Sequence, residues 1–162
     1  MNRRTRRLAG AVTGAVAGGA AVAAAAVVAF GGSSSAASAA HLSVTAGYIP
    51  RPLLTDEAAA YVTVTNSGGT AAELTSASSP LATYVTLHTS TGTTMRQVTA
   101  LTVPPHGRLS LGLGADHLML ERLTHKPAVG ETVPLTLHFA HAAPATVTVT
   151  VPVRPTTYQP GG

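Results

Sequence analysis

Beyond residue 40, apolar and polar positions alternate in short runs. Leu42-Ser43-Val44-Thr45-Ala46 does so, and Ala60-Tyr61-Val62-Thr63-Val64-Thr65 does so more strongly before the turn signal Asn66-Ser67-Gly68-Gly69. A period of two places one residue set on each face of an extended strand. The same pattern predicts strands at 72–77, 84–88, 94–98, 108–113, 118–123, 133–139 and 146–153, with Gly, Pro and Asn between them. No stretch of helical period follows the amino-terminal segment. Many short strands separated by turn residues predict an all-β domain: a Greek-key, antiparallel β-sandwich of cupredoxin-like or immunoglobulin-like type.

The first 40 residues follow another pattern. Arg3, Arg4, Arg6 and Arg7 precede an uncharged run from Leu8 to Phe30 rich in Ala, Val and Gly, and a small-residue zone follows that contains Ala37-Ser38-Ala39. A basic start, an apolar middle and an A-x-A site are the order of a secretory signal peptide. The apolar run is also long enough for an uncleaved membrane anchor. Three segments are therefore expected: a leader or anchor at 1–40, one sandwich at 41–153, and a disordered tail at 154–162, where Pro155, Pro160 and two glycines fall. Either form of leader predicts an exported protein that meets a membrane only through that leader. With no cysteine in the chain, a lipid-modified amino terminus has no acceptor and the domain has no disulfide.

Removing the leader changes the meaning of the charge. The formal net charge of +4 comes from the four leader arginines, because from His41 onward five Arg and one Lys face six Asp and Glu. A neutral domain offers no basic patch for nucleic acid. Nor does the sequence assemble a catalytic constellation. It has no Gly-x-Ser-x-Gly elbow, no convincing carboxylate pair and no phosphate-cradling loop before a helix, so it predicts a protein that is not an enzyme.

What remains is a concentration of His and Met between Tyr84 and Leu123. This stretch contains His88, Met95, His106, His117 and Met119. On a strand His117 and Met119 share a face, and the alternating Leu118 and Leu120 claim the other. His88 closes the alternating run that begins at Tyr84. Thioether is a soft, neutral ligand suited to Cu(I), imidazole accepts either copper oxidation state, and hard ions prefer oxygen. A His/Met set without thiolate therefore points to copper, and the lack of Cys argues against a blue-copper electron-transfer centre. His106, His125, His138 and His141 read as solvated or outward-facing residues. His41 could chelate Cu(II) only if cleavage left it at or next to a free amine.

The stretch resembles the PCuAC family of extracytoplasmic copper chaperones. That family's pattern is a His, then a Met, 21 residues, and His-x-Met; here Met95, residues 96–116 and His117-Leu118-Met119 reproduce the second half with the same 21-residue interval. Met95-Arg96-Gln97-Val98, Pro104, Gly114 and the run from Gly130 to Phe139 also match, and the likeness spans roughly 40–153. One departure is the shorter interval from His88 to Met95, over the polar run Thr89-Ser90-Thr91-Gly92-Thr93-Thr94, which reads as a hairpin loop. The resemblance implies a metal set of His88, Met95, His117 and Met119 that holds Cu(I). It further implies delivery to an acceptor metalloprotein, such as a respiratory oxidase subunit or another copper chaperone. The rival reading is a metal-free cell-surface β-sandwich interaction module, which accounts for the leader and the Thr-rich strands but gives no reason for the His/Met spacing.

Overall fold

The computed structural model describes residues 38–160; residues 1–37, and with them most of the expected leader, lie outside. The described residues form ten strands and no helix: β1 Leu42–Pro50, β2 Glu57–Asn66, β3 Ala72–Ser78, β4 Ala82–Thr91, β5 Thr94–Val98, β6 Leu101–Val103, β7 Gly107–Ser110, β8 His117–Leu123, β9 Thr132–Ala140 and β10 Thr146–Arg154. Every run expected from the alternation lies in one of these strands, although the run read as 108–113 stops at Ser110. The strand at Leu101–Val103 was not foreseen.

Strands β5-β4-β8-β2-β1 follow one another in hydrogen-bonded order, with β7 also on β2, and β10-β9-β3-β6 continue the path. The two parts meet where β1 pairs with β10 at Ile49↔Val153 and Pro50↔Arg154. That pairing is parallel, the one exception to antiparallel pairing among the named strands. The chain passes from one part to the other after β2, β3, β5, β6 and β8, so apolar faces from both parts close on one core.

Alternation decides which face is inside. On β2, Ala58, Ala60, Val62 and Val64 are buried; on β8, Leu118 and Leu120; on β9, Val133, Leu135, Leu137 and Phe139; on β10, Val151 and Val153. Burying an aliphatic side chain contributes roughly 1.5–3 kcal/mol, and without disulfides this core carries the stability. The side chains between them face outward, and on β4 and β8 those are the candidate ligands.

Two details fix the edges of the domain. Asn66 is buried and fully engaged: its Oδ1 accepts from the N–H of His41 (3.1 Å) and of Gly68 (2.9 Å), and its Nδ2 donates to the carbonyls of Thr70 (2.8 Å) and Pro104 (3.2 Å). In the turn that follows, a Cβ on Gly68 would fall 1.9 Å from the Ala39 carbonyl oxygen, so only glycine lets the two backbones approach. Ala40 is wholly buried and bridges to Ala142. The fold thus includes Ser38–Ala40, ahead of the boundary at His41 read from the sequence. At the other end, in the segment read as a disordered tail, the Tyr158 N–H bonds to the Pro155 carbonyl (2.9 Å) and its ring meets Tyr48 edge-on at 4.9 Å.

Candidate metal centre

The register of three strands brings the His and Met residues to one outward face. β4 pairs with β8 so that His88 lies opposite His117 and Thr86 opposite Met119; β4 pairs with β5 so that His88 lies opposite Gln97 and Ser90 opposite Met95. Directly opposed residues share a face, as do residues two apart along a strand. His88, Met95, His117 and Met119 therefore all lie on the side of the sheet away from Leu87, Leu118 and Leu120, which are buried.

The loop expected at 89–94 is shorter than the sequence implied. β4 runs on to Thr91 and β5 resumes at Thr94, leaving Gly92-Thr93 as the turn, with Gly92 at φ 61°. A tight hairpin of this length uses positive φ, which glycine adopts without strain. His88 consequently sits inside β4, while Met95 is the second residue of β5 after the turn and His117 opens β8. The reduced interval between His88 and Met95 is taken up by this turn, and the pairing of the strands is kept.

His117 is positioned by an excursion. β7 and β8 bond to the same edge of β2, at residues 63–66 and 57–60, and residues 111–116 loop out between them. The loop is closed by Gly112 N–H to the Asp116 carbonyl (2.9 Å) and Ala115 N–H to the Gly112 carbonyl (3.1 Å), around Gly114 at φ 75°. This aims the Ala115 carbonyl oxygen at His117 Nδ1, 2.9 Å away.

A carbonyl oxygen only accepts, so Nδ1 carries the proton, and in the neutral ring Nε2 keeps its lone pair. That nitrogen lies 3.2 Å from Met95 Sδ. In that neutral tautomer two electron-pair donors face each other, an arrangement a soft cation would hold together. The His88 ring stacks nearly parallel on His117, centroids 5.5 Å apart and planes at 20°. Burial first, and the neighbouring His117 next, push the His88 imidazole below its ordinary value, while Glu121 pulls the other way. A lowered value favours the neutral ring, the form that can ligate.

Access differs across the group. His117 is 7% exposed and Met95 53%. Met119 is partly covered and also lines a groove with Pro52, Leu53, Leu54 and Leu113. The structure stacks His88 on His117, brings Met95 to His117, and places Met119 beside them by register. The remaining histidines stay apart: His125 pairs with Glu131 at 2.8 Å, His138 contacts the Thr146 hydroxyl at 3.3 Å, and His106 and His141 are exposed on positive-φ turns. The His41 N–H is engaged by Asn66, behind the buried Ala40.

Among the described residues no group of three or more His, Cys, Asp or Glu could enclose a metal. The sequence reading passed over Thr86 and Glu121, whose oxygen atoms are 2.6 Å apart beside His88. Counting by two along the same strands, from His88 back to Thr86 and from Met119 on to Glu121, would have found both.

Comparison with known proteins agrees with this fold. A family model described as "Putative lipoprotein LpqE-like" matches residues 15–153. The chain belongs to the LpqE-like family, and it is of PCuAC type. Among solved structures, the copper-bound PCuAC domain from PmoF2 is 23% identical with a TM-score of 0.62, over 70% of this chain and 92% of that one, a likeness of fold. The solution structure of CuI-DR1885 from Deinococcus radiodurans is 33% identical with a TM-score of 0.59, over 69% of this chain and 77% of that one. Its apo form is 30% identical with a TM-score of 0.54, over 91% and 97%. No curated protein matches. This LpqE-like chain contains no cysteine, so within its 162 residues the lipid attachment that the family's description implies has no thiol to use.

Proposed function

We propose that this protein is an exported copper chaperone that holds one Cu(I) through His88, Met95, His117 and Met119 and passes it to an acceptor protein. The carrying observation is the 3.2 Å approach of His117 Nε2 to Met95 Sδ. Support comes from the copper(I) form of DR1885, a relative 33% identical to this chain, and from the basic, apolar, small-residue order of the amino terminus.

Transfer would proceed by ligand exchange. Met95, half exposed at the tip of a hairpin, is the side from which an acceptor's sulfur or imidazole can enter before a donor ligand leaves. No covalent bond of a substrate is made or broken, so the activity is carriage and not catalysis. A membrane-bound respiratory oxidase or a second chaperone is the acceptor class that the PCuAC likeness favours. A metal-free interaction module leaves the lone-pair contact without a purpose.

Anaerobic titration should load one Cu(I) per chain, and X-ray absorption should show nitrogen together with sulfur, since Met95 and Met119 are the two methionines outside the leader. A shell fitted by nitrogen and oxygen alone would refute the assignment. In competition, Cu(I) should be retained against equimolar Zn²⁺, because zinc gains little from thioether and finds only two imidazoles here. Displacement by zinc would mark the site as a generic histidine pair.

A further inference from the structure

We propose that Thr86 and Glu121 are positioning residues for the copper cargo: they hold His88 with its proton on Nε2, so that Nδ1 is the nitrogen that meets the metal. The inference rests on the Cu(I) reading above and adds two residues and one atom assignment to it.

The direction of the hydrogen bonds decides the tautomer. Thr86 Oγ1 lies 2.6 Å from Glu121 Oε1 and 3.0 Å from His88 Nε2. Thr86 donates its single hydroxyl proton to the Glu121 carboxylate oxygen, an acceptor. Having given its proton, Oγ1 can only accept from His88, and Nε2 must supply an N–H. In the neutral ring the lone pair is then on Nδ1.

That second nitrogen is the observation a structural reading leaves open. His88 Nδ1 is a buried side-chain nitrogen with no hydrogen-bond partner. Leaving a buried polar atom unsatisfied is unfavourable, and a fold that only needed to fill the space could have avoided it. A Cu(I) ion beside the stacked His117 ring would satisfy it.

Sheet stability does not account for Glu121 either. In the β2–β8 register Glu121 stands directly opposite Glu57, and like charges in that relation are unfavourable. The carboxylate contributes instead through Thr86. A carboxylate that polarises the hydroxyl strengthens the Nε2–H···Oγ1 hydrogen bond, fixes the ring's orientation and makes the Nδ1 lone pair a better metal ligand, as outer partners of ligating histidines do. The two rings then ligate through different atoms. His117 offers Nε2 because its Nδ1–H donates to the Ala115 carbonyl, and His88 offers Nδ1 because its Nε2–H donates to Thr86 Oγ1.

The test combines long-range nitrogen–proton NMR of the imidazoles with Cu(I) competition against a chromophoric chelator. In the apo protein His88 should be the Nε2–H tautomer, and added Cu(I) should shift Nδ1 of His88 but Nε2 of His117. Thr86→Val keeps the shape and deletes the hydroxyl; it should mix the His88 tautomers and weaken Cu(I) binding about 10- to 100-fold, the usual effect of losing an outer partner. Thr86→Ser should restore both. Glu121→Gln keeps an accepting oxygen, so it should preserve the tautomer with a smaller loss of affinity. Wild-type affinity with an unchanged tautomer in Thr86→Val, or a Cu(I)-induced shift at His88 Nε2, would overturn the proposal. Absence of Cu(I) uptake by the wild-type protein would instead defeat the copper reading, and the apo tautomer would still judge the Thr86 hydrogen bond by itself.

Discussion

Met95→Leu is expected to lower Cu(I) affinity by more than the roughly 10- to 100-fold associated with an outer-shell partner, while the unfolding midpoint of the apo protein stays where it is. The side chain is 53% exposed on β5, so little apolar burial depends on it. A Met-to-Leu exchange usually changes stability by less than about 1.5 kcal/mol even in a core. What leucine lacks is the sulfur that lies 3.2 Å from His117 Nε2. Met119→Leu should behave similarly, because it too removes a thioether from the outer face and leaves Leu118 and Leu120 buried beneath. Competition with a Cu(I) chelator and thermal unfolding of the apo protein measure the two halves of this expectation. Unchanged affinity in both variants would remove sulfur from the site and with it the reason for choosing copper.

This separation of site from core follows from strand periodicity, and for that reason much of it was legible in the sequence. Leu118 and Leu120 alternate with His117 and Met119, and the structure buries the leucines while turning the other pair to the opposite face. Features that depend on register between distant segments were not legible. The contact of Thr86 with Glu121 joins residues 35 apart along the chain, and nothing in either strand's own pattern fixes which residues will face each other. The short interval between His88 and Met95 looked like a trimmed loop, whereas the strands lengthen to meet at Thr91↔Thr94.

Short or unusual elements escaped for local reasons. Leu101-Thr102-Val103 gives only three alternating positions before Pro104, too few to distinguish a strand from a connection. The β1–β10 junction is two residue pairs long and parallel, a relation that no turn signal announces. At the amino-terminal border, Ala37-Ser38-Ala39 matched the composition of a cleavage site. The same composition suits the packing of Ala40 beside Ala142 and of Ala39 against Gly68. Small residues serve both purposes, so pattern alone could not place the start of the domain.

Leu120→Ala is expected to destabilise the apo protein by roughly 2–5 kcal/mol, the range for truncating a buried leucine. Leu120 is completely buried, and its neighbours across the sheet are Ala58 on β2 and Val85 on β4. Neither can swing a longer side chain into the space left behind, which favours the upper part of that range. For a domain of this size each kcal/mol corresponds to roughly 2–8 °C in melting temperature, so thermal or urea unfolding will resolve the effect easily. Cu(I) affinity measured well below the midpoint should nevertheless match the wild type, because the proposed ligands occupy the other face. Saturating Cu(I) should raise the melting temperatures of Leu120→Ala and of the wild type alike, since a ligand that binds only the folded state stabilises both. A loss under about 1 kcal/mol, well below the cavity range, would show that Leu120 is not part of the core. Loss of Cu(I) binding by folded Leu120→Ala would show instead that the metal site and the core are one structure, against the division of faces that the alternation on β8 implies.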